Sequence, residues 1–190
     1  IAFRADRDIE GSISHQVTSD AIETNDGLLI VSTIGGGLNI LNKADLTFNT
    51  LRASPSATAS APLSDNISQL FNARDGSVWV GYADGSGVSR FDPNSKEFKH
   101  FFLSIRRPDA AVQSFAQLDD GTLFIAVANV GIYRVASDAL ELIDTDSGYS
   151  LPTDIRDLDG IGNNQLAITT GRSGIFVFNG ATNVIEPYYL

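Results

Sequence analysis

The 190-residue sequence contains no cysteine and no methionine, and only six prolines, two histidines and one tryptophan. The absence of cysteine excludes a disulfide framework, thiolate metal sites and cysteine nucleophiles. No apolar run reaches the roughly 18 residues that a membrane-spanning helix needs. The chain begins at Ile1, with neither an initiating methionine nor a signal peptide. We therefore expect a processed or excised piece of a longer protein.

Positive charge is also scarce, with 13 Lys and Arg against 23 Asp and Glu and a formal net charge of −10. An acidic protein repels phosphate backbones and anionic lipid surfaces, so we expect no nucleic-acid partner and no direct membrane insertion. The hydrophobic content of 43% and the 17 glycines are typical of a folded protein with many tight turns.

Four internal repeats organise the chain. A two-residue turn signal recurs as Asp26-Gly27, Asp75-Gly76, Asp120-Gly121 and Asn163-Asn164. Apolar strand segments follow each signal, and a second glycine comes next at Gly37, Gly87, Gly131 and Gly174. Spacings in the mid-forties match the roughly 40–50 residues of a propeller blade.

The repeats predict an all-β chain, a β-propeller segment of four blades with four antiparallel strands each. The predicted blades span approximately 12–51, 64–102, 110–143 and 151–190. We expect at least about 14 strands and no helix longer than about two turns. Three adjacent apolar columns, which begin at Leu29, Val78, Leu123 and Leu166, predict second strands covered on both faces.

Propellers close with about 4–8 blades, so we expect this segment to be part of a larger propeller. Residues Ile1 to Arg4 look like an isolated outer strand. No polar cap is evident over the terminal blades, whose predicted open faces include Ala21, Ile22, Leu29 and Val31 at one end and Ile168, Ile175 and Val177 at the other. Exposed faces of this kind predict packing on further blades, from the same chain or from a second copy. The alternative is a compact four-bladed ring, which needs strongly splayed sheets.

The second repeat carries the most specific pattern. It combines the Asp75-Gly76 turn, the core strand Trp79-Val80-Gly81, the ending Arg90-Phe91-Asp92-Pro93 and an outer strand containing Phe98 and Phe101. This repeat resembles those of the two-component regulator propeller family. The other three repeats keep only parts of the pattern.

The resemblance implies a non-catalytic, ligand-sensing propeller of a bacterial signal-transduction protein, of the two-component or diguanylate cyclase type. It further implies a location on the periplasmic or extracellular side of the inner membrane, with a small molecule or carbohydrate as ligand. Related propellers include lyases, and fold alone does not decide function. A lyase- or lactonase-type enzyme and a protein-interaction scaffold therefore stay open as alternatives.

Catalytic chemistry has little support in the sequence. His15 and His100 lie far apart, and no metal-binding, nucleophile-elbow or phosphate-loop motif is present. We expect His100 to be a half-exposed surface residue of an outer strand. The cluster Asp154, Asp157 and Asp159 does not have the spacing of a calcium loop. We therefore predict no catalytic residues, no metal and no cofactor.

A binding surface is easier to predict. In a blade, the loop between the second and third strands and the connection into the first strand emerge on the same face. Polar residues expected there form the candidate ligand site: His15, Asn66, Tyr82, Asp84, Arg106, Arg107, Asn129 and Arg172. Arginine supplies forked donors, and tyrosine supplies a stacking face with a hydroxyl. The irregular stretch 52–63 is interpreted as a lid or, alternatively, as a tolerated insertion.

Overall fold

The computed structural model describes residues 3–6, 8–56, 58–105, 107–145 and 149–188. Within these ranges the chain forms sixteen strands and no helix. The strands assemble into four antiparallel sheets of four, each built from consecutive strands in chain order. The prediction of an all-β fold with four four-stranded repeats is confirmed.

The chain divides into two compact units, residues 1–100 and 101–190. The first unit contains sheet 1, with strands β1 (Thr18–Glu23), β2 (Leu29–Thr33), β3 (Gly37–Asn42) and β4 (Thr47–Leu51). It also contains sheet 2, with β5 (Ile67–Asn72), β6 (Val78–Tyr82), β7 (Val88–Phe91) and β8 (Phe98–Phe101), the last of which ends one residue beyond the boundary.

The second unit has the same construction. Sheet 3 consists of β9 (Val112–Gln117), β10 (Leu123–Val127), β11 (Gly131–Ala136) and β12 (Ala139–Leu142). Sheet 4 consists of β13 (Ile155–Gly162), β14 (Gln165–Thr170), β15 (Ile175–Asn179) and β16 (Val184–Pro187).

The turn signals work through left-handed backbone. Gly76 between β5 and β6 has a φ of 83°, a value that glycine adopts without steric cost. The fourth repeat replaces this pair with Asn163 and Asn164, whose φ values are 52° and 54°. Asparagine tolerates this region better than other residues with a Cβ, so the hairpin survives the loss of glycine.

Within each unit, one face of the first sheet packs on the second. Ile30 and Leu38 of sheet 1 are buried together with Leu70 and Val80 of sheet 2. In the second unit the apolar residues of sheet 4 pack in the same way on sheet 3, and Phe124 and Phe178 meet edge to face at 5.8 Å.

Sheet 1 is covered on its other face, contrary to the expectation of an open terminal face. Ile13 is buried with Val31, Leu41 and Phe48, and the Phe3 ring meets the Phe48 ring edge to face at 5.1 Å. The covering segment consists of residues 3–6 and 8–17, which form no strand. Residues 1 and 2 lie outside the described residues. The outer strand expected at Ile1–Arg4 is therefore not found over the part that is described.

Two further residues expected on open terminal faces lie elsewhere. Ile22 packs against the core between sheets 1 and 2, and Ile168 is fully buried in the core between sheets 3 and 4. By contrast, Ile175 is 48% exposed. Of the two faces that were expected to be open, the outer face of sheet 1 is therefore covered. The outer face of sheet 4 has no apolar cover among the described residues.

Candidate functional site

A polar depression of about 750 Å³ lies in the first unit. We call it the polar basin. Its walls come from the covering segment, from the β2–β3 turn and from the end of β4. Its polar side chains are Asp6, Ser12, Ser14, His15, Gln16, Thr50 and Arg52. Of the residues predicted for the site, only His15 lines it.

Buried Asn39 on β3 holds two walls of the basin together. Its Oδ1 accepts hydrogen bonds from the Ser14 amide at 2.9 Å and from the Thr50 hydroxyl at 3.0 Å. Its Nδ2 donates to the carbonyl of Val31 at 3.3 Å. Because buried amides are costly unless they are satisfied, these bonds fix the covering segment against β4.

Close packing against the β2–β3 turn fixes the position of His15. A Cβ placed on Gly36 would lie 2.5 Å from the Ser14 hydroxyl oxygen and 2.7 Å from the His15 Cβ. Only glycine leaves room for this approach. The His15 Nδ1 accepts the Val17 amide at 3.2 Å. The neutral ring therefore carries its proton on Nε2, which is left as a donor.

Arg52 is the cation of the basin. Its Nη1 lies 3.2 Å from Asp65 Oδ2 and 3.3 Å from the carbonyl oxygen of Gly35. Asp65 is itself held, because its Oδ1 accepts the Ala53 amide at 2.7 Å and its carbonyl accepts the Gly35 amide at 2.9 Å. The side chain of Arg52 is 52% exposed. Guanidinium carries five N–H donors, so several can still bind a ligand.

Asn66 and Asp84 lie together, but neither lines the polar basin. The Asp84 carboxylate accepts hydrogen bonds from Ser64, Ser86 and Asn66. Burial acts to raise the pKa of Asp84, but these hydrogen bonds outweigh it, so the pKa is lowered. The group ties the 52–66 connection to the β6–β7 turn, and its acceptor atoms are already occupied.

Tyr82 is fully buried, which contradicts its prediction as a ligand-binding residue. Its hydroxyl accepts the Leu63 amide at 3.0 Å and lies 2.8 Å from Ser89 Oγ. Burial raises the pKa of Tyr82 to about 12. The hydrogen bonds with Ser89 and Leu63 act in the opposite direction, and nearby Asp84 adds to the increase.

His100 joins the same network. Its Nε2 lies 3.1 Å from the carbonyl oxygen of Thr58, and its Nδ1 lies 2.9 Å from Ser89 Oγ. Because a carbonyl only accepts, Nε2 carries the proton. The 52–66 connection is thus bound to sheet 2 through Thr58 and Leu63.

The remaining predicted site residues belong to the second unit. Arg107 donates to both carboxylate oxygens of Asp109 at 3.0 Å, and Asn129 Nδ2 lies 3.3 Å from the same carboxylate. Arg172 is exposed in the β14–β15 turn. Arg106 lies outside the described residues. These arginines do not form a paired cluster in the part of the chain that is described.

Sequence reasoning missed Arg52, Asp6 and Thr50. Arg52 follows the last residue of β4 and is the first residue of the Ala-, Ser- and Pro-rich stretch. A charged residue at the end of a strand was therefore the sequence signal that could have indicated its place in the basin. Asp6 gave none, because a covering segment without strands has no periodicity.

Metal ligation finds no support among the described residues, where no group of three or more His, Asp or Glu is arranged to hold an ion. Asp154 and Asp157 bind different serines, Ser173 and Ser114. No helix long and apolar enough to cross a membrane occurs in the described ranges.

Neither a family model nor a curated protein sequence matches this chain. Solved structures do. The extracellular domain of BT3049, a proposed hybrid two-component system from B. thetaiotaomicron, matches all of this chain with a TM-score of 0.73 and 19% identity. The corresponding domain of BT4673 gives a TM-score of 0.75 at 17% identity. The fold is that of a β-propeller.

Each of the four sheets is a propeller blade, and the expected resemblance to sensor propellers is confirmed at the level of the fold. The chain spans about a quarter of these extracellular domains, 24% and 25% of their lengths. Virginiamycin B lyase from Staphylococcus aureus is also similar, with a TM-score of 0.66 and 16% identity over 91% of this chain and 55% of the lyase.

Proposed function

We propose that this chain is part of an extracytoplasmic, non-catalytic sensor propeller of a bacterial signalling protein, and that the polar basin binds its ligand. The polar basin is the observation that carries the proposal. Its volume lies within the roughly 300–1,000 Å³ typical of small-molecule sites. The fold shared with extracellular domains of proposed two-component systems supports the sensor role and the location.

The chemistry of the basin selects a small, polar ligand. Arg52 and His15 supply donors, whereas Asp6 supplies an acceptor and Ser14 a hydroxyl. The described lining contains no Phe, Tyr or Trp ring for stacking. The ligand best suited to this set carries a carboxylate or a cluster of hydroxyls, which includes sugars and sugar acids.

An enzymatic alternative follows from the similarity to a lyase. Among the described residues of the basin, His15 is the only histidine, and no second base is hydrogen-bonded to it. General acid–base chemistry normally requires a positioned acid and base. The arrangement therefore favours binding without turnover.

A ligand screen tests the proposal. The purified protein is titrated with neutral sugars, uronic acids and short dicarboxylates by calorimetry, and any hit is repeated with Arg52→Gln and His15→Ala. Loss of a charged hydrogen bond predicts about tenfold or greater weakening in Arg52→Gln. Arg107→Gln in the second unit is the matched control and should bind normally. If a ligand binds both basin variants with unchanged affinity, its site lies outside the basin. Conversion of the ligand to a product would favour the enzymatic alternative.

A further inference from the structure

The outer face of sheet 4 corresponds to the face of sheet 1 that sheet 2 covers and to the face of sheet 3 that sheet 4 covers. Leu38 of sheet 1 and Ile132 of sheet 3 occupy the same position in their blades, and both are fully buried under the following sheet. Ile175 occupies this position in sheet 4, because it pairs with Thr169 as Leu38 pairs with Ser32. It is 48% exposed.

A polar contact between successive sheets also recurs. In sheet 1, Asp20 Oδ1 accepts the amide of the next residue, Ala21, at 2.7 Å, and Oδ2 accepts the Leu70 amide of sheet 2 at 2.8 Å. In sheet 3 the equivalent residue is Ser114, whose Oγ accepts the Leu158 amide of sheet 4 at 3.2 Å. In both cases a short polar side chain accepts a hydrogen bond from a main-chain amide in the first strand of the following sheet.

Asp157 stands at this position in sheet 4, since it pairs with Thr169 as Asp20 pairs with Ser32. Its Oδ1 accepts the amide of the next residue, Leu158, at 3.0 Å, as Asp20 Oδ1 accepts that of Ala21. Oδ1 also receives the Ser114 hydroxyl at 2.6 Å. None of the described residues donates to Oδ2, the atom that binds the next strand in sheet 1.

The β2–β3 turn and its equivalents provide a third recurring contact. The Gly35 amide donates to the Asp65 carbonyl at 2.9 Å, and the Asn129 amide donates to the Thr153 carbonyl at 3.1 Å. Each bond joins a turn to the connection that leads into the following sheet. Arg172 is the equivalent residue of sheet 4, and its amide has no acceptor among the described residues.

We infer that the outer face of sheet 4 is a docking surface for a further four-stranded blade. The first strand of that blade donates an amide to Asp157 Oδ2, and the connection before it presents a carbonyl to the Arg172 amide. Its apolar side chains cover Ile175, Val177 and Tyr188. The inference does not depend on the ligand proposed for the basin.

A second copy of this chain fits the surface poorly. The face carries the exposed carboxylates Asp157, Asp159 and Glu186, so two such faces placed together would oppose like charges. The outer face of sheet 1 is not a ready partner either, because Ile13 and Phe3 already cover it. A separate blade that offers backbone donors satisfies the surface without these costs.

An added blade tests the inference directly. A second copy of residues 52–102, which contains the strand that binds Asp20, is joined after residue 190. Thermal unfolding is then measured with and without Asp157→Ala. We expect the variant to lower the melting temperature by roughly 3–6 °C more in the extended protein than in the 190-residue chain. Asp157→Ser should behave like the parent, because Ser114 performs this role in sheet 3. Asp144→Ala is the exposed control. Equal losses from Asp157→Ala in both proteins would overturn the inference.

The 190-residue chain provides a second measurement that does not depend on folding of the extension. Light scattering should show a monomer, and Ile175→Asp should lower its melting temperature only slightly, because Ile175 is 48% exposed. A stable dimer that Ile175→Asp dissociates would assign the face to a second copy. A large loss of stability in a monomeric Ile175→Asp variant would show that the face is already covered.

Discussion

At the scale of single residues, Tyr82 shows how burial converts a predicted ligand contact into a structural one. The notable feature is the direction of its hydrogen bonds. Leu63 N–H donates to the Tyr82 oxygen, which frees the hydroxyl proton for Ser89, and Ser89 can then donate to His100 Nδ1. Every member is satisfied when His100 carries its proton on Nε2. Such buried networks specify one arrangement of the groups they join.

Tyr82→Phe should therefore destabilise the protein without affecting the basin. Leu63 and Ser89 lose a buried partner, so we expect the free energy of unfolding at pH 8 to fall by about 1–2 kcal/mol. Urea denaturation provides the measurement. Tyr188→Phe is the matched control, because Tyr188 is 56% exposed and should change little.

The same residue predicts a dependence on alkaline pH. The folded pKa of Tyr82, about 12, lies above the value of about 10 for an unfolded tyrosine. Its neutral form is favoured by folding, so this stability is fully present below about pH 10 and is lost as the pH rises toward the folded pKa. The parent should lose more stability than Tyr82→Phe between about pH 10 and pH 12, because the substitution removes the group that titrates. Parallel curves for the two proteins would contradict this assignment.

At the scale of elements, the covering segment has two roles. It buries the outer face of sheet 1 through Ile13, and it supplies Asp6, Ser14 and His15 to the basin. The Phe48 amide, which donates to the Gly11 carbonyl at 2.7 Å, joins the segment to β4. The covering segment therefore links the stability of sheet 1 to the shape of the basin.

Ile13→Ala tests this linkage. Removal of a buried isoleucine side chain costs about 2–4 kcal/mol in typical cores, and we expect a loss of this size in chemical denaturation. Hydrogen exchange should also become faster at the Ser14 amide, which Asn39 holds. Ile9→Ala is the control, since Ile9 belongs to the same segment but is 60% exposed. Equal effects of the two variants would mean that Ile13 does not anchor the segment.

The sequence predicted the strands well and the covering segment poorly, for a physical reason. The four repeats of four strands are found as expected, because left-handed turns and apolar strand segments leave a local signal in the sequence. A segment that packs through isolated side chains such as Phe3 and Ile13 shows no hydrophobic periodicity in the sequence. The basin depends on that segment, so only His15 of its lining could be anticipated, from its position before β1.

At the scale of the whole molecule, charge sets the expected partners. With 23 acidic and 13 basic residues, the protein should repel polyanions at physiological ionic strength. We expect no mobility shift of duplex DNA or RNA and no sedimentation with anionic vesicles at about 0.15 M salt, the ionic strength at which screening acts over roughly 8 Å. A parallel assay with a strongly basic protein is the positive control. Salt-sensitive binding to either polyanion would reveal a local basic patch that the total charge conceals.

The contacts between turns and connections have a consequence for how this chain can vary. The bonds from Gly35 to Asp65 and from Asn129 to Thr153 use only main-chain atoms. A substitution at Asp65 or Thr153 changes a side chain but leaves the carbonyl in place. Gly35 and Asn129 have positive φ values of 88° and 58°, so the turn side of each bond favours glycine or asparagine, whereas the carbonyl side makes little demand on residue identity. The blades can therefore drift apart in sequence and still assemble alike, which is consistent with a TM-score of 0.73 at only 19% identity.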